Sequence, residues 1–445
     1  MDISERDQQD ILDAEHAALE KQLSSLHTTE LAEILMASKN DTERLKIISA
    51  MPDEQVGETL LELPERMQES VLSKLNASEI ESVVEHLDSD DAADILQSVS
   101  AEIAEQVISG LDPEDRRGIE TLMLHDEESA GGLMQAELFK VRDDWKARKV
   151  LKVLRRWGQT IENLNYIYAV NQHDRLTGVI QLHTLLFCNL DDEVWRIADA
   201  DFPRVSVDED QEEVARMFEK YDKLALPVVD KHGVLVGRIT ADDIIDVVHE
   251  EATEDMFRLA GLSDQDDLSE PVGITAYRRG IWLTFNLITA ILASVVISQF
   301  EATLQQIVAL AVLMPIVASM GGIAGTQTLT VMVRGIALGR ITFSNAKRTL
   351  LREVSVSLVT GLGFALLIGV IARFWFPAYG NTLGLIIAAA IMLNLIAAGL
   401  AGALIPLTLQ RLDIDPALAS GTILTTVTDV VGFLAFLGLA TVFLL

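Results

Sequence analysis

The chain has 445 residues, 49% of them apolar, and carries 67 Asp or Glu against 35 Lys or Arg, a formal net charge of −32. So large an acidic excess excludes a nucleic-acid partner, because phosphates need Lys and Arg, and it favours cations or basic surfaces instead. One cysteine, Cys188, excludes both a disulfide framework and a thiolate metal cluster.

The charge is unevenly spread. Residues 278–445 hold nine Lys or Arg and five Asp or Glu, a local net of +4, which leaves −36 for residues 1–277. An N-terminal extension, residues 1–26, mixes charges with apolar residues and has no hydrophobic core of the signal-peptide kind. The acidic part is therefore expected to stay cytoplasmic. Residues 27–128 read as an acidic, all-α, superhelical N-domain: leucines recur at helical spacing between polar turns such as Leu75-Asn-Ala-Ser-Glu and Leu111-Asp-Pro-Glu. Asp90 and Asp94 share a face there if both are helical.

An internal repeat follows. Val170 to Ile180 aligns with Val229 to Ile239 at an offset of 59, each a strand, a turn and a strand before an amphipathic segment. The pattern resembles a tandem α/β CBS module, with CBS 1 over 129–199 and CBS 2 over 200–249. CBS pairs commonly regulate what they are attached to and often take adenine nucleotides; no Gly-rich phosphate loop followed by Lys and Ser or Thr supports a nucleotide here. From Thr240 to Asp255 the chain lacks Gly and Pro and should be one helix, within a connecting segment over 240–270. Asp242, Asp246, Glu250 and Glu254 form a stripe at four-residue steps, flanked by Asp243, Glu251 and Asp255, with no Lys or Arg among them. Like charges so placed weaken a helix by about 0.2–0.5 kcal/mol per pair. A bridging divalent cation would turn that repulsion into attraction; a merely solvated helix is the plainer reading.

The remainder, residues 271–445, contains five apolar runs, roughly 280–300, 307–337, 354–376, 383–407 and 417–445. Each is long enough to cross a bilayer, which needs about 20 residues. Arg278 and Arg279, then Arg340, Lys347, Arg348 and Arg352, then Arg411 fall on one side. That positive-inside pattern puts the N-terminus in the cytoplasm and the C-terminus outside an inner or plasma membrane.

Asp429 lies near the middle of the fifth run. An Asp at a helix centre costs about 2.5–3.5 kcal/mol on insertion scales, so it should face a cavity or a partner. Gly421, Thr422, Thr425, Thr426 and Gly432 recur around it at three- and four-residue steps, and a wet, oxygen-lined face is expected. In the second run Pro315 deprives the carbonyl of Ala311 of a donor, while Gly321, Gly322 and Gly325 permit close approach or local unwinding beside Thr326, Gln327 and Thr328. Hard cations take oxygen ligands, and Mg2+ sheds water reluctantly, so such a pore suits a hydrated ion. An intramembrane aspartyl hydrolase is the competing class, but it needs two carboxylates sharing protons and one chain offers a single mid-span aspartate. An alternating-access carrier would show an inverted repeat, and none is evident across five spans.

Ala130-Gly-Gly-Leu-Met before the CBS-like pair, Glu250-Glu-Ala-Thr-Glu-Asp, the Pro315 to Gln327 stretch and Thr428-Asp-Val-Val-Gly together resemble the MgtE family of magnesium channels. The resemblance covers nearly the whole chain from about residue 27. It implies a non-enzymatic homodimer in a lipid bilayer, with a pore built from the second and fifth helices and a hydrated Mg2+ held by Asp429. It also implies pore contributions from Gly421, Thr425, Ala311, Gly325 and Gln327, and a plug helix from about Asp242 to Asp266 that closes when cytoplasmic Mg2+ is plentiful. Sensor carboxylates are implied at Asp90, Asp94, Asp210, Glu212, Asp222, Asp243, Asp246, Glu251, Glu254 and Asp255. Two positions depart from the family pattern: Ile323 stands where an Asn is usual, and Gly421 where a polar residue is usual. Both changes remove polar groups from the pore lining and leave room for Co2+ or another divalent ion beside Mg2+.

Overall fold

The structure is a computed structural model of the full chain, described for residues 21–157, 164–262, 271–412, 414–418 and 420–445. Residues 1–20 of the expected N-terminal extension and 263–270 at the end of the expected plug lie outside the described residues. The chain divides into two compact units, residues 1–248 and 249–445, each taken here by itself.

Ahead of its sheets the first unit has, among the described residues, eight short helices from Thr28 on: α1 (Thr28–Ala37), α2 (Asp41–Ile48), α3 (Asp53–Leu61), α4 (Glu65–Leu72), α5 (Ala77–Val84), α6 (Ser89–Gln97), α7 (Ala101–Gly110) and α8 (Pro113–Leu122). Their starts are written in the turns. Asn40 caps α2, and Asn76 and Glu79 form a reciprocal capping box on α5. Helices this short cannot stand alone in water, so packing must hold them. α1, α3, α5 and α7 stack in sequence, as do α2 on α4 and α6 on α8. Leu31, Ile34, Leu60, Leu72, Ile80 and Ile95 supply a core with no solvent exposure. This is the superhelix expected.

Two three-stranded sheets complete the unit. β1 (Lys140–Arg142) pairs parallel with β2 (Tyr166–Val170), which pairs antiparallel with β3 (Leu176–Gln181); α9 (Ala147–Trp157) crosses between the first two. α10 (Leu182–Phe187) and α11 (Val194–Ile197) lead to β4 (Val205–Ser206), α12 (Gln211–Tyr221), β5 (Ala225–Val229) and β6 (Leu235–Thr240), joined in the same parallel and antiparallel order. The hairpins match to the residue: the register slips between Ala169 and Val170 in one, and between Val228 and Val229 in the other, the same offset of 59. The repeat seen in the sequence is thus a repeat of structure.

α13 (Ala241–Leu259) is the single helix expected from Thr240 onward. Gly261, at φ +71°, ends it, with Leu262 N–H donating to the carbonyl of Phe257 at 2.8 Å, a Schellman closure.

The second unit holds five helices long and apolar enough to cross a membrane: α14 (Val272–Ser298), α16 (Ala309–Ala337), α17 (Ala346–Trp375), α18 (Gly380–Arg411) and α19 (Ser420–Leu444), with short α15 (Glu301–Gln306) between the first two. α14 starts at Val272 and α17 at Ala346, earlier than hydropathy alone suggests, because backbone hydrogen bonding continues through charged turns. Glu353 is therefore inside α17, where it is buried. α18 is the hub: it packs on α16, α17 and α19. α16 runs as an unbroken helix through Pro315, Gly321, Gly322 and Gly325. Gly321 and Gly325 serve close approach, not unwinding, and a Cβ on Gly322 would meet nothing within 4 Å.

Candidate ion-conducting site

α16 and α19 pack on each other, and on one side their faces part to frame a groove of about 500 Å3 lined by Ala318, Ser319, Gly322, Ile323, Thr326, Gln327, Thr425 and Asp429. One-turn spacing accounts for the set: Gly322 and Thr326 rise together on α16, as do Thr425 and Asp429 on α19. The hydroxyls of Thr326 and Thr425 each donate back to a carbonyl four residues earlier, Gly322 at 3.0 Å and Gly421 at 2.9 Å. With the hydrogen committed to backbone, each hydroxyl oxygen presents lone pairs to the groove. Water around a cation points its hydrogens outward and needs such acceptors. Six waters, the octahedral shell of Mg2+, occupy roughly 180 Å3 at about 30 Å3 each, so the groove admits the ion with its shell.

A second cavity of about 210 Å3 adjoins it and shares Thr326 and Thr425. One wall is the end of α13, Arg258 to Gly261; the others are Trp282 and Asn286 of α14, Leu329 and Thr330 of α16, and Gly421 and Thr422 of α19. The Leu259 carbonyl lies 3.4 Å from where a Cβ on Gly421 would stand, so the end of α13 sits at van der Waals distance from this turn of α19.

Of the pore residues read from the sequence, Asp429, Thr425 and Gln327 share the groove and Gly421 borders the adjoining cavity. Two are placed elsewhere. Gly325 is buried, and a Cβ there would meet Leu424 at 2.8 Å, so this glycine serves helix packing. Ala311 is exposed, outside the groove lining. Gly432, expected on the wet face, is buried against Asn394.

The acidic residues fall into two separate neighbourhoods. In the first unit, Asp90 of α6 is 8% exposed, with Oδ1 buried and without a hydrogen-bond partner among the described residues. Burial, then the charges of Asp91 and Asp243, push its carboxyl well above the usual range. Burial and Asp243 likewise raise Asp91 to about 7. Asp243 is itself raised by burial, although Thr240 Oγ1 donates to it at 2.6 Å. Asp94, one turn past Asp90, is exposed. The sequence pairing of Asp90 with Asp94 thus missed Asp91, which is half-buried near Asp243 while Asp94 is exposed. In the second unit, burial and then Asp415 and Glu251 raise Asp255 to about 6, against a lowering by Arg334. Arg258, just past the acidic stripe of α13, pairs with Glu254 one turn earlier.

Among the described residues, no three His, Cys, Asp or Glu converge well enough to hold a metal ion. Asp210, Glu212 and Asp222 are dispersed for a simple reason. Asp210 caps the start of α12, accepting from Glu212 N–H at 2.9 Å, and Asp222 ends the same helix at φ 48°. At about 1.5 Å per residue the two are roughly 18 Å apart, far beyond the reach of one ion. Glu212 is paired with Arg216 at 2.8 Å. Asp246 is exposed on α13.

Family models match three segments: the MgtE intracellular N domain over residues 26–128, a CBS domain over 194–250, and a divalent cation transporter, MgtE, over 314–439. The magnesium transporter MgtE of Bacillus subtilis is 34% identical over 408 residues, covering 91% of this chain and 89% of its own. The chain belongs to the MgtE family. The magnesium transporter MgtE of Thermus thermophilus is 35% identical over 332 residues, 74% of this chain and 73% of its own. A crystal structure of the cytosolic domain of the Mg2+ channel MgtE in complex with ATP superposes with a TM-score of 0.51 at 33% identity, covering 54% of this chain and 98% of that one. With five candidate spans, this MgtE-family chain is a multi-pass membrane protein.

Three polar residues of this MgtE-family chain escaped sequence reasoning. Asp415 sits in a short loop otherwise marked by Arg411, and its acidity was the available signal. Glu353 fell just outside the hydropathy run, and it accepts from Thr328 Oγ1 at 3.4 Å. Asn394 is the one side-chain amide, hydroxyl or charge between Leu383 and Leu407, a signal as plain as that of Asp429.

Proposed function

We propose that the chain is a homodimeric Mg2+ channel in which a hydrated ion passes Asp429, gated by cytoplasmic Mg2+ acting on α13. The observation that carries this reading is the pair of adjoining cavities: the Asp429 groove, where the carboxylate and the hydroxyls of Thr326 and Thr425 stand in a mainly apolar lining, and the smaller one walled on one side by Arg258 to Gly261. A half-buried carboxylate on a membrane helix cannot face lipid, and the groove is open along Ile323, Thr326, Gln327 and Thr425, all exposed in a single chain. A second copy laid against the same face closes the path and doubles the aspartate.

The gate follows from electrostatics. Burial and neighbouring carboxylates raise Asp90 and Asp91, beside Asp243, in one unit and Asp255, beside Glu251 and Asp415, in the other, so each set ionises only at a cost. Divalent cations relieve both sets and hold α13 over the pore; their loss releases it. The Lys and Arg pattern supports a cytoplasmic N-terminus and sensor and a C-terminus outside. Adenine nucleotide is a candidate ligand of the CBS pair, and Co2+ a candidate second permeant beside Ile323.

The deciding experiment reconstitutes the chain in liposomes and records Mg2+ influx with internal Mg2+ varied. Influx that falls as internal Mg2+ rises, and is abolished by Asp429→Asn, is expected. Influx that Asp429→Asn leaves intact ends the pore assignment, and influx indifferent to internal Mg2+ ends the gate.

A further inference from the structure

We infer that Asn394 of α18 is a positioning residue that sets the separation of the two pore-lining helices, and with it the discrimination among hydrated divalent ions. It rests on the reading of the Asp429 groove as the ion path, and it concerns a residue that touches no ion.

Asn394 has no solvent exposure, yet it carries an amide into the middle of an apolar bundle. Its Nδ2 donates to the Val317 carbonyl of α16 at 2.9 Å, while Oδ1 is buried with no hydrogen-bond partner among the described residues. A polar atom shut off from both water and protein is rare in native structures and calls for a reason. The reason lies in what surrounds it. A Cβ on Gly432 would stand 2.6 Å from Nδ2, and one on Gly321 closer still. The amide therefore fills the space left by two glycines, one on each helix of the groove.

Their positions connect this wedge to the ion path. Gly321 adjoins Gly322, which lines the groove, and Gly432 lies one turn beyond Asp429. The same turns of α16 and α19 thus face the groove in front and Asn394 behind. The hydrogen bond fixes α16, and contact with Gly432 fixes how near α19 can come. Hydrated ions differ in radius by fractions of an ångström, so a small change in this spacing alters which shell fits against Asp429 without altering any group that the ion meets. Gly361 and Gly399 bring α17 and α18 together, whereas Leu424 of α19 packs directly on Gly325 of α16, so the Asn394 wedge acts one turn along from that contact, on the turns that also face the groove.

The test measures Mg2+, Co2+ and Ca2+ influx in the same liposomes for the full chain, reported as ratios so that the amount of folded protein cancels. Asn394→Ala is expected to lower the Mg2+ to Ca2+ ratio several-fold, and Gly432→Ala to cut Mg2+ influx by driving a methyl into the amide. Combining the two removes that clash and partly refills the void, so the double variant should recover toward the parent ratio. Should Asn394→Ala not accumulate, Asn394→Ser shortens the side chain and carries the same ratio test. Unchanged ratios in these Asn394 variants, or effects of Asn394→Ala and Gly432→Ala that merely multiply, overturn the proposal. If Asp429→Asn abolishes influx while the Asn394 variants keep parent ratios, the pore reading stands and only the role of Asn394 falls. If Asp429→Asn conducts normally, both fall together.

Discussion

Arg258 Nη1 donates to Asp415 Oδ2 at 2.7 Å, tying the end of α13 to the loop that precedes α19. The same guanidinium pairs with Glu254, so one cation, itself lining the smaller cavity, serves an acid of α13 and an acid of the loop before α19. Side-chain exposure of 32% and 29% at the Arg258–Asp415 pair keeps such a bond at up to about 1 kcal/mol, near a 5-fold change in an equilibrium. Arg258→Ala should therefore raise the internal Mg2+ needed for half-closure by up to about 5-fold and leave the open-state ion ratios unchanged. Liposome influx against internal Mg2+ measures it; an unmoved midpoint would separate Arg258 from the gate.

The cluster around Asp91 carries a pH signature. An acid whose folded-state pKa is raised holds a proton that the unfolded chain has released, so stability falls as pH rises across the window between the two values and stays low above it. For Asp91 that window runs from 3.8 to about 7. In Mg2+-free buffer, hydrogen-exchange protection of α6, corrected for the intrinsic rate, should fall between about pH 4 and pH 7 and stay low above it, and Mg2+ should restore it at pH 8. Asp91→Asn should flatten the profile. A variant profile matching the parent would move the proton elsewhere.

Much of this was legible in the chain. Short helices, hairpins and spans each leave a local pattern, and the repeat at an offset of 59 survives down to the slip in each hairpin. Asp429 stood out because a charge in an apolar run has no innocent location. What the chain hid was direction. Asp90, Asp91 and Asp94 look alike in a string, yet one is buried, one half-turned toward Asp243 and one exposed. Asp210 and Asp222 look like ligands until the length of α12 is laid between them. Ala311 and Gly325 were chosen for what their backbone could do, and packing decided otherwise.

Ile323 is 57% exposed and faces the groove beside Asp429. Ile323→Asn should raise the preference for Mg2+ over Co2+, because an amide offers the water shell both an acceptor and a donor where the alkyl chain offers neither. Competition between the two ions in the liposome assay measures it, and equal ratios before and after would remove Ile323 from the selectivity account.

Two glycines on the α16 contacts should differ in tolerance. A Cβ at Gly402 would stand 2.8 Å from the Gly325 carbonyl, which cannot move without shifting α16; at Gly325 it would meet the tip of Leu424, which can rotate. Gly402→Ala should cost about 1–3 kcal/mol, and Gly325→Ala less. Thermal stability in detergent ranks them, and the reverse order would contradict the packing described.

The three-way fit of Gly321, Asn394 and Gly432 also constrains descent. No side chain larger than hydrogen is admitted at either glycine while Asn394 keeps its length. A lineage that shortens residue 394 gains freedom at 321 and 432, and one that keeps the amide loses it. Across relatives these three positions should change as a set, leaving a covariation between helices that meet no ion at that point.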